Sequence, residues 1–219
     1  MTRSRPAPKP RPRGRPPKQG RATEILAAAH EVFIAKGFAG ARLDDIAARA
    51  GVGKGTLYLY FESKEALFEA LVQAAVVPNL AQLEALARDW QGTQADLLRH
   101  VLGVLARALG EGPLAAFPKL VIAEATAFPE LARRYRERVI DRALALFAGV
   151  VARGAAAGEF RPVDPEAAAR SVIAPFLLAA IWQSCFARFD HAPIDQAAML
   201  AAQADLLIEG LAAREGPRP

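Results

Sequence analysis

The residues whose types and spacing suit contact with another molecule lie between Arg42 and Phe61, in the run RLDDIAARAGVGKGTLYLYF. Leu43, Ile46, Ala47 and Ala50 fall at i, i+3, i+4 and i+7, the spacing that gathers apolar side chains on one helix face. Gly51 follows at once, and glycine ends helices because it enters the left-handed conformation without a Cβ penalty. A second helix begins at Lys54, in which Leu57 and Phe61 share an inward face. Gly55, Thr56, Tyr58, Leu59 and Tyr60 then point elsewhere. Two phenols, a hydroxyl and a glycine make poor core and poor solvent surface, but they suit a surface pressed against another molecule. Glycine permits close backbone approach, and Tyr and Thr supply donors for phosphates and base edges. This is helix-turn-helix logic, with Lys54 to Tyr60 as the helix that enters a major groove. An ordinary αα-hairpin inside a bundle has the same spacing.

Gly37-Phe38, Asp45-Ile46-Ala47, Gly51-Val52-Gly53-Lys54-Gly55-Thr56-Leu57-Tyr58, Tyr60-Phe61 and Ser63-Lys64-Glu65-Ala66-Leu67 together resemble the DNA-binding domain of the TetR family of bacterial transcriptional regulators. The likeness runs without gaps from about Arg21 to Leu71. It implies that the second helix of the motif enters the major groove, with Thr56, Tyr58 and Tyr60 at the DNA beside Lys54 and Gly55. It also implies that Lys64, opening the next helix, touches phosphate. Two positions depart from the family pattern. Ala41-Arg42 stand where a Ser or Thr usually caps the helix, and Gly53 replaces a common Ser. A direct contact from Arg42 to phosphate is the expected substitute.

The elements that must position this motif are helical. The chain has 219 residues, 53% of them hydrophobic, enough to bury one large core or two small ones. Alanine and leucine dominate, and β-branched and aromatic residues are too sparse for a sheet of ordinary size. The net charge of +5 is an uneven average: residues 1 to 21 carry eight basic residues and no acid, leaving 20 basic against 23 acidic elsewhere. The lone Cys185 rules out an intramolecular disulfide and a cysteine-cluster metal site. The longest apolar run, Val172 to Trp182, is far short of the roughly 20 residues of a membrane span. The N-terminus lacks the apolar segment of a secretory signal. A soluble, cytoplasmic protein with no cofactor and no membrane partner is expected.

Residues 1 to about 20 alternate proline with basic residues and read as a disordered tail. Within it Pro12-Arg13-Gly14-Arg15-Pro16 resembles an AT-hook core, in which Arg13 and Arg15 lie in a narrow A·T-rich minor groove. A generic basic tail that binds only phosphate is the alternative. The first helix is expected from about Arg21 to Lys36, ended by Gly37. After the motif pair comes a helix capped by Ser63, and Pro78 marks a kink or break. Thr93 caps a helix to about Leu109, and Gly110 to Pro113 form a loop. Leu114 to Ala127 is a shorter helix bent or restarted at Pro118. Pro129 opens a long helix to about Ala157 with a solvated charged face at Arg133, Arg134, Arg136, Glu137 and Arg138. Asp164-Pro165 starts a helix to about Phe189, and the last runs from about Ile194 to Ala213.

The expected fold is therefore all-α with about nine helices: a three-helix helix-turn-helix domain at 21–75 and a helical regulatory and dimerisation domain at 76–214. The last two helices are apolar on more than one side, so they lie either in the centre of a monomer or half against a second copy. The family resemblance favours a homodimer, with Ala169, Ile173, Leu177, Ala201, Ala204 and Ile208 at the interface, and two recognition helices on an inverted-repeat DNA operator. It also implies a small-molecule effector, in a pocket enclosed by the helices between the DNA-binding domain and the dimer interface. Phe117, Leu120, Val121, Phe147, Phe176 and Trp182 are candidate apolar lining, with Glu124, Tyr135 and Gln183 as polar groups. The leading reading is a ligand-responsive homodimeric repressor. An α-helical enzyme is opposed by the absence of a metal-spaced His-Glu pair and of a serine or cysteine nucleophile motif. An architectural DNA binder dominated by its tail, without an effector, is the other alternative.

Overall fold

Ile25, Ala28, Ala29, Val32 and Phe33 fall on one side of the first helix and are all buried, which fixes how α1 (Arg21–Gly40) lies on the rest of the chain. The computed structural model describes residues 20–110, 114, 116–192 and 194–213. The basic tail with Arg13 and Arg15 and most of the expected 110–113 loop lie outside the described residues. Regular helix in α1 stops before Gly37, whose φ of 72° and ψ of 171° break the rod where a glycine stop is expected.

Then follow α2 (Leu43–Arg49), α3 (Lys54–Tyr58), α4 (Lys64–Ala75), α5 (Val77–Asp89) and α6 (Gln94–Gly110). Farther on come α7 (Ala116–Glu124), α8 (Pro129–Tyr135), α9 (Asp141–Ala156), α10 (Pro165–Cys185) and α11 (Gln196–Leu211). Only Val76 interrupts α4 and α5, and one π turn, Arg136–Ile140, joins α8 to α9. With those two pairs taken as continuous rods, the eleven segments are nine helices among the described residues. No strand occurs among them beyond one isolated bridge from Phe160 to Ala212.

The caps are the expected side chains. Ser63 Oγ accepts from the Ala66 amide at 3.0 Å, Thr93 Oγ1 from the Asp96 amide at 3.0 Å, and an Asp164 carboxylate oxygen from the Glu166 amide at 3.0 Å. Each is worth about 1 kcal/mol. Pro78 sits in the first turn of α5, just past the interruption at Val76. Pro118 sits in the first turn of α7, so it starts that helix and does not bend it. The helix after Asp164 ends at Cys185, short of Phe189, and a separate short turn covers Ala187–Phe189.

Two cores result. Phe33, Phe38, Phe68 and Phe117 pack in series, with ring centroids 5.5 Å apart for Phe33 and Phe38, 5.7 Å for Phe38 and Phe68, and 6.2 Å for Phe68 and Phe117. Each buried phenylalanine contributes about 1.5–3 kcal/mol. This first core joins α1 to α4 with Phe117, Val121, Leu131 and Tyr135 from α7 and α8. The second gathers Leu97, Leu98, Val101, Phe147, Val151, Phe176, Leu200 and Ile208 from α6, α9, α10 and α11. The stretch Lys64–Asp89 is long and apolar enough by length and composition to cross a membrane. Here its Leu67, Phe68, Leu71 and Val72 fill the first core, Leu80 and Ala87 are buried, and Glu69 and Glu84 pair with arginines.

Candidate nucleic-acid interface

The two helices of the α2–α3 corner start without side-chain caps. Arg42 stands at the N-cap of α2 and Gly53 at that of α3, and neither gives a side-chain cap. The Arg42 carbonyl accepts from the Asp45 and Ile46 amides at 3.1 and 3.2 Å, and the Gly53 carbonyl from Thr56 and Leu57 at 2.9 and 3.1 Å. Asp44 and Asp45 in the first turn of α2 complement the dipole. Between the helices Gly51 takes φ 64°, which only glycine adopts freely, and the Val52 amide donates to the Ala47 carbonyl at 2.9 Å. Ile46 and Ala47 are buried, with Leu43 and Ala50 packed half-buried beside them, as their spacing predicts.

On α3 the inward and outward faces separate cleanly. Leu57 is fully buried and Phe61 nearly so, while Tyr58 is 46% exposed and Leu59 78%. Lys54 and Gly55 are exposed and Thr56 is half-buried on the same short helix. Lys54 Nζ lies 2.8 Å from the Asp44 carboxylate, which pushes the Lys54 pKa up through hydrogen bonding and charge. Arg42 is exposed. Lys36 and Asp45 pair at 2.8 Å, and Arg49 pairs with Glu31, so α2 is tied to α1 by two surface ion pairs. Each such pair is worth under about 1 kcal/mol.

Two side chains are placed otherwise than expected. Tyr60 is half-buried against the first core with its ring 6.4 Å from that of Phe61, so much of its phenol face is already occupied. Lys64 Nζ donates to the carbonyls of Phe38, Ala39 and Ala41 at 2.7, 3.3 and 3.2 Å, and sits 4.5 Å from the Phe38 ring centroid. An ammonium has three donors, and these carbonyls take them, so in the free chain Lys64 closes the end of α1 instead of facing phosphate. Leu59, expected to point away from the core, is exposed. Its signal is its position two residues past the inward Leu57, on a helix that turns its other side to the core.

The six candidate pocket residues divide between the two cores and the surface. Phe117 and Val121 belong to the first core, and Phe147 and Phe176 to the second. Trp182 is 38% exposed and its indole N–H donates to the Asp190 carboxylate at 3.0 Å. Glu124 turns away from the regulatory helices, and its carboxylate accepts from the Ala39 amide at 3.0 Å. A cavity of about 100 Å³ does lie between α4 and α8, lined by Phe68, Val72, Leu131 and Tyr135 with Glu69, Arg134 and Arg138 at its edge. Burial pushes the Tyr135 phenol well up. Arg134 pairs with Glu69, and Arg138 lies 3.6 Å from it, linking α8 to α4.

The proposed dimer residues divide in the same way. Ala169, Ala204 and Ile208 are buried in the chain's own second core, with Ile173 packed against it. Leu177 and Ala201 are exposed. The large apolar side chains that face outward on these helices are Leu178, Met199 and Leu206, together with Leu177 and Trp182. The helices are apolar on nearly all sides, so composition does not fix which stripe goes inward.

This arrangement of a long α1, two short helices meeting at an uncapped corner and an outward α3 is that of a helix-turn-helix DNA-binding regulator. The family model for bacterial regulatory proteins of the tetR family matches residues 25–71, and the model for the C-terminal domain of AefR-like transcriptional repressors matches residues 96–206. The HTH-type transcriptional regulator YfiR of Bacillus subtilis (strain 168) is 32% identical over 170 residues, covering 74% of this chain and 76% of that one. RutR of Escherichia coli (strain K12), another HTH-type transcriptional regulator, is 32% identical over 171 residues, covering 77% and 74%. A crystal structure of a TetR-family regulator from Mesorhizobium loti superposes with a TM-score of 0.68 at 26% identity, over 87% of this chain and 94% of that one. The chain belongs to the TetR family, and it is a DNA-binding transcriptional regulator.

Proposed function

We propose that this protein is a homodimeric repressor that holds an inverted-repeat operator with its two α3 helices and releases it when a small apolar or aromatic effector binds. In this reading residues 21–75 are the DNA-binding unit, 76–214 the regulatory and dimerisation unit, and the basic tail adds phosphate or minor-groove contacts through Arg13 and Arg15. The observation that carries it is the outward face of α3, where Tyr58 and Leu59 stand exposed above a fully buried Leu57. Tyr58, Thr56 and the Gly55 backbone would meet the groove, with Arg42 and Lys54 toward phosphates and Tyr60 at the edge. The exposed stripe of Leu178, Met199 and Leu206 supports pairing of α10 and α11 with a second copy, which would set the two α3 helices about 34–36 Å apart.

An effector releases DNA only by preferring a different arrangement of the helices. The shared core of α1, α4, α7 and α8 supports a route for that preference to reach the motif. The test is titration of the full chain against a fragment carrying its own promoter, with excess unrelated competitor DNA. Saturable binding that weakens at least about tenfold with Tyr58→Ala and only modestly on deleting residues 1–18 is the expected result. Binding that survives Tyr58→Ala and disappears with the tail would overturn the reading in favour of an architectural binder.

A further inference from the structure

The turn that delivers the chain from α1 into α2 is gripped from the regulatory side. Gly37 takes φ 72° and ψ 171°, a conformation open essentially only to glycine, and a Cβ there would lie 3.2 Å from Glu124 Oε1. That carboxylate oxygen, 85 positions along the chain at the end of α7, accepts the Ala39 amide at 3.0 Å. The Phe128 amide donates to the Glu124 carbonyl at 2.8 Å, closing the α7–α8 turn, and the Phe128 ring packs edge-on against Phe38 at 4.9 Å. From the other side Lys64 holds the carbonyls of Phe38, Ala39 and Ala41. The α2 helix that follows has no side-chain cap to fix its own direction. Beside the burial of Ile46 and Ala47 and the Lys36–Asp45 and Arg49–Glu31 pairs, its orientation, and that of α3 behind it, depends on what holds the Gly37–Ala41 turn.

We infer that Glu124 is a positioning residue for operator binding: its carboxylate on the Ala39 amide sets the turn, and through it α2 and α3, in register with the regulatory helices. The inference rests on the repressor reading, in which the form without effector is the one that binds the operator. A carboxylate accepting a backbone N–H makes a charge-assisted hydrogen bond, stronger than a neutral one. Glutamine at the same place keeps an oxygen acceptor of the same reach, whereas alanine removes it and aspartate falls one methylene short.

The experiment compares the full chain with its Glu124→Gln, Glu124→Asp and Glu124→Ala variants. Each is measured for affinity to the promoter fragment, hydrogen exchange of the Ala39 amide and thermal midpoint. Glu124→Gln is expected to bind within about threefold of the parent with Ala39 still protected, and Glu124→Ala and Glu124→Asp about tenfold more weakly with that protection lost. Parent-like affinity in Glu124→Ala would overturn the inference, as would equal loss in Glu124→Gln with Ala39 still protected. Should Glu124→Ala fail to fold, the glutamine and aspartate variants decide between these outcomes. If the parent itself does not bind the fragment, the repressor reading falls, and unchanged Ala39 exchange across the variants would then overturn the role of Glu124 separately.

Discussion

Lys64 and Phe38 are joined twice: the ammonium donates to the Phe38 carbonyl at 2.7 Å and lies 4.5 Å from the centroid of its ring. A lysine that satisfies three carbonyls at a helix end is a structural cap, and removing it leaves those carbonyls short of partners. Lys64→Met, which keeps the aliphatic stem, is expected to destabilise the fold by about 1–3 kcal/mol in urea unfolding. It should leave the salt dependence of operator binding unchanged. A drop of about one in the slope of log affinity against log salt would instead show that Lys64 faces phosphate in the complex.

Two glycines answer to different constraints. Gly154→Ala in α9 would ordinarily gain about 1 kcal/mol of helix propensity. Here the new Cβ would lie 2.1 Å from the Phe160 ring, which is itself buried. Overpacking costs of about 1–3 kcal/mol exceed the gain, so the substitution is expected to lower the unfolding midpoint. Gly37→Ala costs backbone strain, about 1–3 kcal/mol, and also pushes on the Glu124 carboxylate. Unfolding curves for the two variants check both, and a stabilised Gly154→Ala would contradict the packing described.

The outward apolar stripe gives a prediction about assembly. Leu178 and Leu206 are 60% and 65% exposed, so Leu178→Asp and Leu206→Asp should leave the monomer folded and shift sedimentation from dimer to monomer. Ile208→Asp, by contrast, places a charge in the second core and should unfold the chain. A dimer that persists in both surface variants would move the interface elsewhere.

What the sequence made legible was local. Gly37, Ser63, Thr93, Pro129 and Asp164-Pro165 mark helix ends because caps and breakers act within a few residues, and each marks one here. The inward faces of α2 and α3 followed from spacing for the same reason. Ala169, Ala204 and Ile208, read as dimer contacts, are buried in the chain's own second core, because helices apolar on more than one side carry little signal for which stripe goes inward. Phe117 and Phe147, read as lining of one pocket, fall in different cores, because which side chains meet depends on how distant helices pack. Glu124 was read as a pocket group, and nothing near it in sequence points to Ala39.

The charged face of α8 titrates in a predictable direction. Hydrogen bonds from Arg133 and Arg134 hold the Glu130 carboxyl down at about 2, from an ordinary value of 4.5. The folded value is below the unfolded one, so the contribution to stability is present above pH 4.5 and is lost as pH falls toward about 2. Arg142 depresses Glu84 in the same direction through a two-point pair at 2.6 and 2.9 Å, which ties α5 to α9. Carboxyl NMR titration should find Glu130 ionised at pH 3.5 in the parent and largely protonated there once Arg133 and Arg134 are both replaced by alanine. Unchanged titration would contradict the pairing.

The most direct test of the central claim is a footprint of the full chain on its own promoter, read with the stoichiometry of the complex. An operator-bound homodimer should give two protected half-sites in inverted orientation, about one helical turn apart, occupied by two chains and lost with Tyr58→Ala. Diffuse protection spread over A·T-rich DNA, indifferent to Tyr58→Ala and erased by moderate salt, would contradict it.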